Sequence, residues 1–121
     1  MNATVALKAG IFDVEQEDDT IIVIPTLDLR ELDYKRIQEG AKEILDLLND
    51  PAIKKVILDF SNVSYMDSSG LGALVGLWVS AKKSGCELQL VSFGQRIREL
   101  LRLTKLDELF SVSRFPDTPS F

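Results

Sequence analysis

Met66-Asp67-Ser68-Ser69-Gly70-Leu71-Gly72 gathers two hydroxyls and a carboxylate at one corner of the chain. The run before it, Val56-Ile57-Leu58-Asp59-Phe60, reads as a buried strand, and Leu71 to Lys82 after it is apolar with helical periodicity. The corner therefore falls where a strand ends and a helix begins, beside unpaired N–H groups and the positive end of the helix dipole. Three kinds of chemistry suit such a place: an N-cap, an anion site, or a serine that accepts a modifying group.

Spacing removes the phosphate-loop readings. Gly70-x-Gly72 is followed by Val75 where a dinucleotide fingerprint needs glycine, and Gly76 comes one residue late. No Gly-Lys-Ser/Thr occurs, which excludes a Walker loop. A nucleophile elbow needs glycine two residues either side of its serine, but Ser68 has Met66 and Gly70 there, and Ser69 has Asp67 and Leu71. The sequence contains no histidine, so Ser-His-Asp and Cys-His arrangements are absent along with the commonest general base. With Cys86 as the single cysteine, a zinc or other transition-metal site is not expected either. No catalytic residue, metal or cofactor is expected, and the chain reads as a non-enzyme.

Elements that position the corner can be read from pattern. Ile11 to Glu17 and Thr20 to Pro25 are strands joined at Asp18-Asp19, and the first ten residues either extend the sheet or stay loose. Ile37, Ala41, Ile44, Leu45 and Leu48 recur at helical spacing within a helix from about Glu31 to Asn49, ended by Asn49-Asp50-Pro51. Lys55 to Phe60 reads as a central strand covered on both faces. A helix from about Ser69 to Ser84 closes at Gly85, Glu87 to Val91 is a further buried strand, and Arg96 to Thr104 is another helix. Leu106 to Phe110 suits one more turn, Val112 to Phe115 an edge strand, and 116–121 a frayed tail. The 121 residues make one domain with its core over about 11–115. Its class is α/β: a mixed four- to five-stranded sheet with helices packed on it.

Composition narrows the partners. A net charge of −5 argues against binding nucleic acid or a membrane surface through basic patches. The longest apolar stretch, Leu71 to Val79, is far short of the roughly 20 residues a membrane span requires. No signal peptide is evident, and one cysteine allows no internal disulfide, so the protein reads as soluble and cytoplasmic. Cys86, among apolar neighbours, reads as a small core residue.

The helix after the corner adds a sharper clue. At 100° per residue, Leu71, Leu74, Val75, Trp78, Val79 and Ala81 share an arc that should face the sheet, burying Trp78. The opposite arc carries Ser69, Gly72, Ala73, Gly76, Ser80 and Ser84. An interior helical glycine costs roughly 1 kcal/mol relative to alanine. Two on a face that usually carries Glu, Lys and Gln need a reason. One is a flat landing surface for another protein; the other is close packing against a neighbouring helix.

Val63-Ser64-Tyr65-Met66-Asp67-Ser68-Ser69-Gly70-Leu71-Gly72 closely resembles the phosphorylation motif of bacterial anti-sigma factor antagonists, members of the STAS domain superfamily. Asn62 and the preceding strand fit, as does Leu100-Leu101-Arg102-Leu103-Thr104-Lys105-Leu106, where members often read apolar-x-x-Thr-Gly-Leu. The resemblance implies a STAS fold and a partner switch. An unphosphorylated antagonist binds an anti-sigma factor and frees the sigma factor. The anti-sigma factor, itself a serine kinase, phosphorylates the first serine after the Asp, and a dedicated phosphoserine phosphatase reverses this. That serine is Ser68. The family's Asp contributes to partner binding, which implies that role for Asp28; with Asp67, Ser69 and Gly70 of the corner and Gly72, Ala73, Gly76 and Ser80 of the strip it makes the expected partner-binding set. Two departures stand out: Pro25-Thr26-Leu27-Asp28 keeps only the Asp of the family's Gly-Glu-Leu-Asp, and Lys105 stands where glycine is common. The alternative is a STAS scaffold or transport-accessory subunit in which Ser68 is never modified.

Overall fold

The computed structural model describes residues 5–30, 33–109 and 111–112. Two hairpins open the chain. β1 (Val5–Ala9) pairs antiparallel with β2 (Phe12–Glu17), and β2 with β3 (Thr20–Pro25). Gly10 takes φ +62 in the first turn and Asp18 takes φ 56 in the second. The first turn suits glycine twice over, because a Cβ at Gly10 would come within 3.1 Å of the backbone at Gly40.

From β3 onward the chain alternates. Helix α1 (Tyr34–Leu48) leads to β4 (Lys55–Asp59), α2 (Ser68–Lys83) to β5 (Glu87–Val91), and α3 (Gln95–Leu103) with a short 3₁₀ turn (Leu106–Glu108) to β6 (Ser111–Val112). β3, β4, β5 and β6 are parallel neighbours, so the sheet is mixed and its strand order follows chain order.

Six strands are present among the described residues, against four or five expected. The added strand is β1, which settles the open question of the first ten residues in favour of pairing. The expected strand from Val112 to Phe115 is seen as Ser111–Val112; 113–115 and the tail 116–121 lie outside the described residues.

Crossovers between parallel strands are right-handed with few exceptions, so three in one direction place their helices on one face of the sheet. Burial agrees. Val14, Ile21, Val23, Val56, Leu58, Leu88 and Leu90 join Ile37 and Ile44 of α1, Leu74 and Leu77 of α2, and Ile97 and Leu101 of α3 in one core cluster. The alternate residues Ile22, Ile24, Ile57 and Gln89 are only partly buried and belong to no such cluster. Among the described residues β4 is therefore packed into the core on one face, not two; the expectation of two rested on Ile57, an apolar residue on the outer side of Lys55-Val56-Ile57-Leu58-Asp59.

Cys86 is buried, with its thiol donating to the Ile53 carbonyl at 3.2 Å. Burial raises the thiol above its ordinary pKa, partly opposed by Lys54. Lys105 has φ +59 after α3. That left-handed conformation is the one glycine adopts without cost.

Candidate functional site

The corner sits where expected, one residue earlier than the helix boundary read from the sequence. Asp67 is the N-cap, in extended conformation, and its carboxylate accepts from Ser69 N at 3.0 Å and Gly70 N at 3.4 Å. Two of the helix's first N–H groups are thereby satisfied, and a negative charge lies at the positive end of the dipole. Ser68 is the first helical residue and is exposed, while Ser69 is partly buried. With the cap on Asp67, the Ser68 hydroxyl is spared that task.

Gly70 needs correction. It is buried, so it cannot be a surface for a partner. A Cβ there would overlap Met66 Cγ and lie 2.7 Å from both the Cβ and the carbonyl oxygen of Leu29. The glycine lets the first turn of α2 sit against the loop that follows β3. The opposite holds for Gly72 and Gly76, where an added Cβ would meet nothing within 4 Å. Close helix packing therefore does not explain them. They are not buried, and with Ala73 and Ser80 they face a groove of about 750 Å³ between α1 and α2. Tyr34, Gln38, Ala41, Lys42 and Leu45 form its α1 wall, and Ser68 and Ser69 lie at the end where α2 begins.

The arc expected to face the sheet is also corrected. Gly70, Leu74, Leu77 and Ala81 are the buried line of α2. Val79 is exposed, and Trp78 is only partly buried, with Lys82 Nζ 5.6 Å from its ring centroid. Because α2 is apolar or small almost all round, its periodicity carries little directional information. Leu77, part of the real inner line, fell on neither expected arc.

Asp28 lies in the loop after β3, partly buried. Its Oδ1 accepts from Ser64 N at 2.8 Å and Tyr65 N at 3.2 Å, and Ser64 Oγ reaches both carboxylate oxygens at 3.3 and 3.4 Å. Next to it, Leu29 N donates to Tyr65 O at 3.2 Å and Asp67 N to Leu29 O at 3.1 Å, with Leu29 and Met66 forming a parallel bridge. Asp28 and the corner are brought together through the backbone of Ser64 and Tyr65. Sequence reading missed Ser64 and the exposed side chains of Leu27, Tyr34 and Tyr65 around this end of the molecule. The signal available was their apolar or aromatic type beside loop boundaries. Among the described residues no cluster of side chains is suited to a metal ion, and no helix is long and apolar enough to cross a membrane.

A family model for the STAS domain matches residues 12–118. An anti-sigma-B factor antagonist of Staphylococcus aureus (strain NCTC 8325 / PS 47) is 32% identical over 83 residues, covering 69% of this chain and 76% of that protein. Among solved structures, a Thermotoga maritima protein superposes with a TM-score of 0.75 at 28% identity, covering 87% of each chain. The anti-sigma factor antagonist SpoIIAA, in its unphosphorylated form, gives 0.65 at 18% identity, covering 88% of this chain and 90% of its own, a likeness of fold. The chain belongs to the STAS domain family, among the anti-sigma factor antagonists.

Proposed function

We propose that this antagonist is controlled by phosphorylation at Ser68. The unphosphorylated form binds an anti-sigma factor that is also a serine kinase and so releases the sigma factor. Transfer of phosphate to Ser68 ends that binding, and a phosphoserine phosphatase restores it. The protein itself catalyses nothing in this cycle, acts in the cytoplasm and makes no direct contact with nucleic acid.

The observation that carries the reading is the exposed Ser68 at the start of α2, next to an open strip of Gly72, Ala73, Gly76 and Ser80. Open helix positions with no side chain cost helical stability, and these face a groove that no described side chain fills. A partner seated there meets Ser68 at its edge. Phosphate adds about −1.5 to −2 charge. The helix N-terminus tolerates that charge internally, but beside the Asp67 carboxylate it makes a poor match for an acidic or apolar partner surface. Charge mismatches of this kind cost several kcal/mol at an interface.

The test is a pull-down from extract of the protein's own cells with Ser68→Ala as bait, paired with mass spectrometry of the wild-type protein from the same cells. The reading requires phosphoserine at 68 in the wild type, and capture of an anti-sigma factor by Ser68→Ala but not by Ser68→Asp. Gly76→Arg should keep its fold and lose the partner. No phosphoserine, together with equal capture by all three Ser68 forms, would leave the unmodified scaffold in its place.

A further inference from the structure

We infer that Asp28 is a positioning residue for Ser68: it latches the loop before α2 and holds the serine in the geometry the kinase meets. The inference deepens the proposed switch and rests on it for the identity of the kinase, but not for the latch.

The loop between β4 and α2 spans 60–67 and has to deliver Asp67 to its capping position. Its early part is held locally. Asp59 Oδ1 accepts from Ser61 N at 2.9 Å, and Val63 N donates to Phe60 O at 3.0 Å. Val63 and Met66 are buried and anchor it below. Between those anchors, the amides of Ser64 and Tyr65 turn to Asp28, distant in sequence but adjacent in space. Both donate to the same oxygen, so the carboxylate works as a two-pronged acceptor with the Ser64 hydroxyl as a third donor. Charged acceptors make the stronger hydrogen bonds.

The backbone beyond Tyr65 depends on this hold. Tyr65 O receives Leu29 N, and Leu29 O receives Asp67 N, so the latch passes through one backbone ladder to the capping residue. Gly70 then seats the first helical turn on Leu29. Ser68, exposed, is thus flanked along the chain by Asp67 and Gly70, both tied to the loop that bears Asp28. The Asp28 Oδ1 is engaged by the Ser64 and Tyr65 amides, while Oδ2 meets only the Ser64 hydroxyl, at 3.4 Å. An oxygen engaged by two successive amides is well placed to pre-organise the loop they belong to. Pre-organisation of a reacting group acts on turnover, since a small misplacement of it slows the chemical step.

The experiment compares Asp28→Ala, which removes the latch, with Asp28→Asn, which keeps an oxygen for the Ser64 and Tyr65 amides and removes the charge. Hydrogen exchange is read first, on each protein alone. In Asp28→Ala the amides of Ser64, Tyr65, Asp67, Ser69 and Gly70 should exchange about tenfold faster or more, with those of 56–59 unchanged; Asp28→Asn should recover most of the protection. Phosphate transfer from ATP is read second, with the kinase fraction of the protein's own cells. Asp28→Ala should lower kcat with KM little changed, and Asp28→Asn should restore it. Should Asp28→Ala fail to fold, Asp28→Thr, whose hydroxyl stops one bond short of the carboxylate oxygen, takes its place. Unchanged exchange in the truncated variant, or Asn as damaging as Ala in either readout, overturns the latch. If no fraction phosphorylates any form, the proposed switch falls, and the exchange result alone decides the latch.

Discussion

Two strand-to-helix turns lie side by side at the carboxyl ends of β4 and β5, and they are built in opposite ways. The turn into α3 spans only 92–94. Ser92 takes φ +57, and Gly94 is an N-cap with no side-chain hydrogen bond. It is set by its own backbone and by Phe93, buried in the core. The turn into α2 spans 60–67, carries an Asp cap, and is tied to the loop after β3 by Asp28, Leu29 and Gly70. Its geometry is imposed from outside. The short turn is anchored by one core side chain of its own, Phe93, whereas the long one presents a serine and draws on several residues elsewhere in the chain to do so.

The glycines should break this comparison most clearly. Gly70→Ala forces a side chain against backbone at Leu29 and should cost about 1–3 kcal/mol in urea titration, as overpacking does. Gly94→Ala meets nothing within 4 Å and should cost under about 1 kcal/mol. Equal effects would mean that the second turn is as constrained as the first. Next come the caps. Asp67→Ala should lose about 1 kcal/mol of stability while Ser68→Ala loses almost none, and a reversed order would move the cap to the serine. Gly76→Ala should gain about 0.5–1 kcal/mol, since its Cβ enters open space and helix propensity improves. A loss in thermal unfolding would show a packed groove.

Ser68→Asp should leave stability level or raise it by about 0.3–1 kcal/mol through the dipole, which separates a lost interface from a lost fold. The smallest effect belongs to the far end of β5. Cys86 has its thiol pKa raised by burial. Its contribution is therefore complete below the unfolded thiol's pKa and fades as pH rises through the folded one, because the unfolded chain then loses the proton first. Thiol titration should find Cys86 slow in the native protein and fast in denaturant.

These contrasts also mark what a linear reading can reach. The corner and its helix were legible because strand, carboxylate, hydroxyls and apolar helix succeed one another in the chain. The six-strand count was less so: β6 is two residues long, and Val5–Ala9 gains strand character from pairing with β2. The internal duty of Gly70 was hidden, because its neighbour Leu29 is distant in sequence. Asp28 was singled out through family resemblance, yet its partners Ser64 and Tyr65 lie 36 and 37 positions away. Periodicity failed on α2 for a different reason. Where nearly every side chain is apolar or small, the inward line is chosen by what the sheet offers, and Leu77 won over Trp78.

Gly72 and Gly76 also bear on what holds α2. Each removes about 1 kcal/mol of intrinsic helix preference from the outer line of the helix, while Gly70, Leu74, Leu77 and Ala81 hold its inner line to the core along both halves. On its own α2 would be a weak helix; in the fold, tertiary packing keeps it wound.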